Sequence, residues 1–432
     1  VYADMTLMGE LLGRVGLPPN FMEMMLRSER AERERKMHMD LHAMLAIGRM
    51  TRLAFRHGRL PPQQAALLAQ QQARLEPFRG QDWTPAPLAG LLDSLDTLVA
   101  CRNSTFWLFF VSMMGLAVRN ALLRRWVERR VKDVAFNDLI RGLTGLRSLE
   151  PVREIGRLAE LARQLPPEAR RDLSLPDPAE REARLAGTPA GQALLAEVAA
   201  FLDRFGYLSS NGSDFSESTW AENPEVIWRA VSRAAENPDA AAPAVAAAAR
   251  AAARERMRAQ LSPVPRLVFE RLLASVAAAI DLREAVSLLM SEYSFQLRRL
   301  FLAIGDRLTA RGDLAAAEDL FYLAYDEMTA LARGELPAES ARERIAERRA
   351  RLEADAQVTP PSAISGDLDL TRMTLPSAGD GACLTGIAGS AGTVQGRARI
   401  VHDPAAAPAF LDHEDILVVP YSDVGWTPLF SS

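Results

Sequence analysis

His38 and His42 stand four apart in Met-His-Met-Asp-Leu-His, a spacing that puts both imidazoles on one helical face and would begin a metal site. The acidic and third-histidine ligands such a site needs are missing around them, so a solvated polar face is the expected reading. His57, His402 and His413 are isolated. Cys101 and Cys383 have no histidine context that would suit a nucleophile, and each reads as a small hydrophobe. No glycine-rich loop ends in Lys-Ser/Thr to cradle phosphates, and Gly386, Gly389 and Gly392 read as turn glycines between strands. The polar stretch Phe205 to Pro224 carries a turn signal at Asn211-Gly212, with Asp214 or Ser216 as a candidate cap.

The elements that must position these residues are mostly helices. Apolar residues recur at helical spacing from Met5 to Arg27, broken at Pro18-Pro19, and Ser28 to Arg56 mixes charge with Met and Leu. Pro61-Pro62 feeds a helix over Gln63 to Leu75. Leu88 to Val131 reads as two long helices, the second carrying a Phe/Trp/Met stripe. Leu165 to Gly191 is proline-rich and charged and reads as an exposed, partly helical connection. The alanine-rich run Ala240 to Ala253 predicts a helix opening near Pro243. Two further long segments fill Leu267 to Leu331, and Pro337 to Ala354 is a charged helix.

After residue 355 the texture changes. Val358 to Gly366 and Ser377 to Gly381 have linker composition, and from Cys383 short β-rich runs are broken by glycine. The expected organisation is a helical domain over 1–357, a flexible linker over 358–382 and a small β-containing unit over 383–432. Roughly 50 residues with three strands cannot close a stable core, so this last unit is expected to be incomplete. The fold class is mainly α, a long multi-helix domain followed by the first strands of a β/α unit.

Composition narrows the function classes. The 432 residues hold 51 Lys+Arg against 55 Asp+Glu, a formal net charge of −4 without a basic tail, so nucleic acid is not an expected partner. Two distant cysteines cannot build a disulfide framework, which fits a reducing cytoplasm. No signal peptide is expected at Val1. The uncharged run Asn103 to Val118, bounded by Arg102 and Arg119, is shorter than the roughly 20 apolar residues of a membrane span. A buried core helix is expected there, and no membrane partner.

Two stretches carry a resemblance. Gly389-Ser-Ala-Gly-Thr-Val-Gln-Gly-Arg-Ala-Arg-Ile-Val401, followed by Asp415-Ile-Leu-Val-Val-Pro-Tyr-Ser-Asp-Val-Gly-Trp-Thr-Pro-Leu-Phe430, resembles the opening half of the phosphohistidine swivelling domain of phosphoenolpyruvate-utilising enzymes. Phe205 to Pro224 resembles the "G-H-R/L-S … D-F/L … P-R-W-x-E-x-P" segment of that family's rifampicin-phosphotransferase-like members. Gly206, Ser209, Asp214, Trp220, Glu222 and Pro224 fall on the pattern. Tyr207, Leu208, Ser218 and Thr219 replace its His, Arg, Pro and Arg. A weaker likeness runs from Gly312 to Glu327, where Glu318, Asp319, Asp326 and Glu327 either face a substrate or cap helices and pair with arginines such as Arg298, Arg299 and Arg307.

The resemblance implies an ATP-dependent phosphotransferase. An ATP-grasp domain, using ATP and Mg²⁺, passes the β-phosphate to a histidine on the swivelling domain, which carries it to a small-molecule acceptor and leaves AMP and phosphate as co-products. Neutral imidazole suits this relay as a nucleophile, and Mg²⁺ offsets phosphate charge. Ser209, Asp214, Trp220 and Glu222 are the acceptor-binding residues it implies, with a structural loop as the alternative. The histidine motif "G-G-x-x-S/T-H" is missing from this sequence, and His402 and His413 do not stand in its context. No catalytic residue is therefore expected in this chain, and the ATP-grasp and complete swivelling domains are expected in cis or in trans. The alternative is a stand-alone helical binding or scaffold protein derived from the family.

Overall fold

The computed structural model describes residues 62–131, 133–134, 136–140, 147–212, 214–236, 242–355, 393–402, 415–419 and 426. The expected helices before Pro61, His38, His42, His57 and His413, Cys383, the linker over 358–382 and the strand expected after it lie outside these residues. The described chain is mainly α. In order its helices are α1 (Pro62–Leu75), α2 (Leu88–Glu128), α3 (Phe136–Ile140), α4 (Glu150–Arg163), α5 (Pro167–Arg171), α6 (Pro178–Ala186), α7 (Pro189–Phe205), α8 (Glu225–Glu236), α9 (Ala242–Gln260), α10 (Pro263–Arg311), α11 (Tyr325–Arg333) and α12 (Ala338–Asp355). Two short strands follow, β1 (Arg397–Ile400) and β2 (Asp415–Val418).

Two expectations are corrected here. The stretch expected as two helices over Leu88 to Val131 is one helix of 41 residues, Leu88–Glu128, and Pro263–Arg311 is a single helix of 49. The polar residues Asn103 to Thr105 lie within α2, where the Ser104 and Thr105 hydroxyls donate back to the carbonyls of Ala100 and Cys101 at 3.0 Å. The aromatic stripe is not wholly a buried core either. Thr105, Leu108, Ser112 and Met114 are buried, whereas Phe106, Trp107, Val111 and Met113 are exposed. By length and composition α2 is apolar enough to cross a membrane, although only 28% of its most apolar window is buried.

Several helix starts follow from capping chemistry. Pro178 and Pro189 occupy first-turn positions, where the missing N–H costs nothing. Ahead of them Asp177 accepts from the Ala179 amide and Thr188 from the Gly191 amide, both at 3.0 Å. The Leu165 to Gly191 connection is not wholly exposed as expected, since Leu165, Leu173, Arg181 and Leu185 are buried. The alanine-rich helix α9 opens at Ala242 with Pro243 in its first turn, as its composition predicts.

The described residues form two compact units. One contains residues 62–79 and 100–295 together with the strands. Within it α8 packs on α4 and α7 on both α4 and α6. Their core is built from Ile155, Leu158, Val198, Phe201, Phe205, Trp220, Ile227 and Trp228. A second cluster joins the end of α2 to α9 and α10 through Leu123, Val127, Met257, Phe269 and Val276. Buried Tyr293 donates from its hydroxyl to the Gln71 carbonyl at 2.8 Å, tying α10 to α1.

β1 and β2 pair in parallel, with Arg397 opposite Asp415 and Ile400 opposite Val418. Parallel neighbours need a dozen or more residues between them, and residues 401–414 separate the two strands in sequence. Asp415 accepts from Arg397 and Arg399 at 2.7 and 2.9 Å, and Trp426 is buried beside Val401.

The other unit contains residues 80–99 and 296–355. The turn Ala317–Tyr322 and α11 pack against α12. Two of the four acidic residues singled out in the Gly312 to Glu327 likeness, Asp319 and Glu327, pair with arginines, though from a different element than expected. Asp319 takes Arg349, and Glu327 takes Arg344 and Arg348, all from α12. Arg299 donates to the Gln81 carbonyl, and Arg307 to those of Thr84 and Ala86.

Candidate functional site

The segment from Phe205 to Pro224 leaves the end of α7 and returns on itself before α8. Gly206 begins it. Its amide bonds to the Leu202 carbonyl at 2.7 Å, and its carbonyl accepts from the Ala221 amide at 2.9 Å. An added Cβ at this position would sit 2.3 Å from the Leu202 carbonyl oxygen and 3.0 Å from Ala221 Cβ, so only glycine fits. Trp220 N–H donates to the Leu208 carbonyl at 2.8 Å, and Ser209 pairs with Thr219 as an antiparallel bridge. The turn is therefore a short two-ply clip.

The four residues singled out by resemblance hold this clip together. Ser209 is buried in the bridge. Trp220 is buried and stacks on Phe201 at 6.1 Å between ring centroids, as part of the core. Asp214 accepts from the amide and hydroxyl of Ser216 at 2.9 and 2.7 Å, a local turn rather than a helix cap. Glu222 is exposed, and its carboxylate accepts from the Thr219 amide and hydroxyl at 2.8 and 3.1 Å. None of the four lines the neighbouring cleft.

That cleft, of about 220 Å³, opens where α7 ends, among α4, α10 and the first residues of the clip. Phe205, Leu288, Leu289 and Pro151 give it an apolar wall, and Gln72, Arg147, Glu150, Arg204, Tyr207 and Glu292 give it polar groups. The two carboxylates are held in place. Glu292 receives Arg79 on both oxygens, and Glu150 receives Arg204 at 2.6 Å, whose guanidinium lies 4.7 Å over the Phe205 ring.

Tyr207 is the residue that replaces the family's histidine, and it lines this cleft. Burial, followed by the charges of Glu292 and Glu150, pushes its phenol above the ordinary range, and a tyrosine phenol is protonated at neutral pH in any case. Its hydroxyl makes no hydrogen bond to the described residues. A half-buried, protonated donor beside two anchored carboxylates and two guanidinium groups can take a polar ligand. The donor serves an acceptor oxygen, and the carboxylates accept from a hydroxyl.

Sequence reasoning named Tyr207 only as a departure, and missed Arg79, Glu150, Arg204 and Glu292. Arg79 and Glu292 lie 213 positions apart, and Arg204 and Glu150 lie 54 apart, so no local spacing marks either pair. Cys101 is a free, half-buried thiol, and His402 is exposed. Among the described residues no three His, Cys, Asp or Glu side chains converge as a metal site requires.

Comparison with known proteins agrees with this segment's likeness. Residues 104–284 match the family model described as the rifampicin phosphotransferase fourth domain. An uncharacterised protein of Mycobacterium tuberculosis is 30% identical over 332 residues, which cover 73% of this chain and 35% of that protein. A rifampicin phosphotransferase of a Streptomyces species is 34% identical over 166 residues, 37% of this chain and 18% of the relative. The prodigiosin synthesizing transferase PigC of Serratia marcescens is 30% identical over 250 residues, 54% of this chain and 27% of the relative. The chain thus spans about a third or less of the length of these relatives. By these matches the chain belongs to the phosphoenolpyruvate-utilising enzyme family, as a rifampicin-phosphotransferase-like member.

Proposed function

We propose that the helical part of this chain holds the small-molecule acceptor of an ATP-dependent phosphoryl transfer, in the cytoplasm, with the β-phosphate of ATP reaching the acceptor through a phosphohistidine and AMP and phosphate released. The observation that carries this reading is the cleft at the family segment, where Tyr207 presents a protonated phenol beside Glu150 and Glu292. Among the described residues no three His, Cys, Asp or Glu side chains converge on one position. In this proposal ATP, Mg²⁺ and the histidine belong to ATP-grasp and complete swivelling domains in cis or in trans. No nucleic acid or membrane takes part.

The chain's own residues would bind and orient. Tyr207 donates to an oxygen of the acceptor, and Glu292 or Glu150 accepts from its hydroxyl and so aims that oxygen outward for attack on the phosphoryl group. Arg204 and Arg147 lie where negative charge arrives with the phosphoryl oxygens. Ser209, Asp214, Trp220 and Glu222 act one step back, as positioning residues that fix the clip on which Tyr207 sits.

The test uses the complete polypeptide that carries this chain, together with ATP labelled at the β-phosphate. Acid-labile label on the protein with release of AMP, followed by movement of label to rifampicin as first probe acceptor, is the expected result. Absence of both label and AMP would overturn the phosphotransfer reading and leave a helical binding protein of the same family.

A further inference from the structure

The structure assigns a second binding site, for a small amphipathic carboxylate, to the pocket between α3, α9 and α10. The pocket encloses about 230 Å³. Leu139 and Ile140 of α3 and Leu273, Ala274, Val276 and Ala277 of α10 give it apolar walls. Its charged lining residues are Arg250 and Arg254 of α9 and Glu270 of α10.

The charges around this pocket do not balance. Glu270 is taken by two arginines of α9: Arg254 reaches both of its oxygens, and Arg258 donates from Nε at 2.6 Å. Arg258 also donates to Glu255 at 2.9 Å. Two carboxylates therefore serve Arg254 and Arg258, and the third cation, Arg250, makes no hydrogen bond or ion pair to the described residues. A guanidinium lining an otherwise apolar pocket selects a ligand with one anionic head and an apolar body. A carboxylate matches its planar fork. The volume is about half as large again as a roughly 150 Å³ cavity that binds benzene, which suits a chain of about eight carbons.

This site shares α10 with the Tyr207 cleft but none of its lining residues, and it does not depend on the phosphotransfer reading. Calorimetric titration of the complete protein with octanoate, octanol and acetate tests it. Octanoate is expected to bind saturably, at least tenfold more tightly than either the uncharged chain or the head group alone. Arg250→Gln should weaken octanoate about tenfold and leave octanol and the thermal midpoint unchanged. Ala277→Leu, which fills the pocket from its wall, should abolish octanoate binding while helical circular dichroism persists. Failure of octanoate to saturate, equal binding of octanol, or indifference to Arg250→Gln would each overturn the assignment.

Discussion

Arg79 donates from Nε and Nη2 to the two carboxylate oxygens of Glu292, each at 2.9 Å, across 213 positions of sequence. The fork fixes both the place of the Glu292 carboxylate and its orientation toward the cleft. The pair is partly solvated, with side chains 39% and 21% exposed, so its contribution to stability is modest, about 1 kcal/mol. Arg79→Lys keeps the charge but loses the fork. It is expected to lower the urea midpoint slightly and to weaken acceptor binding more than stability. A double-mutant cycle with Glu292→Gln measures the coupling, and additive losses would show that the fork does not act as a unit.

Tyr207→Phe removes one oxygen that bonds to no described residue, so the fold should be indifferent to it. The thermal midpoint is expected to stay within a degree or so, while transfer from the labelled protein to acceptor slows roughly tenfold, as loss of one good hydrogen bond predicts. Labelling of the histidine by ATP should be unaffected. Equal slowing of both steps would place Tyr207 outside acceptor recognition.

Burial of Trp220 against Phe201 makes the clip part of the core. Trp220→Ala is expected to cost about 3–5 kcal/mol, visible as a large fall in thermal midpoint. Glu222→Ala frees the Thr219 amide and hydroxyl, costs about 1 kcal/mol, and leaves the core intact. If the clip only positions Tyr207, Glu222→Ala should raise the KM for acceptor without changing the pH profile of transfer. A direct contact with the acceptor would alter both.

Much of this fold is legible in the sequence because helices announce themselves locally. Pro243 marks the start of α9, and the Thr188-Pro189 cap marks that of α7. The full extent of α2 was not legible: Leu88 to Val131 read as two helices, whereas one helix runs from Leu88 to Glu128 through the polar residues Asn103 to Thr105. The same limit applies to its aromatic stripe, since burial depends on which helices stand beside it. At the candidate site, the motif segment forms the clip beside the cleft. Trp220 and Glu222 hold the clip, and the cleft groups are gathered from Gln72 to Glu292 by packing that no spacing encodes. The acidic run ending at Glu327 foretold ion pairs, but its partners come from α12.

Glu327 gives the acid response of the unit to which it belongs. Its carboxylate is held near 2, well below the ordinary 4.5, first by hydrogen bonding to Arg348, with the Ala324 amide and Arg344 adding to the effect against a smaller cost of burial. The Ala324 amide is 2.8 Å from Oε2, so the same carboxylate closes the first turn of α11. Because the folded value lies below the unfolded one, the stabilisation is complete above about pH 4.5 and is lost as pH falls from there toward 2. The group is partly hydrated, which keeps the effect small, but its pH window is specific. Urea midpoints measured from pH 6 to pH 3 should fall more steeply for the native chain than for Glu327→Gln, which lacks the titrating proton and should already be less stable at pH 6. Parallel curves for the two proteins would show that Glu327 does not set this acid response.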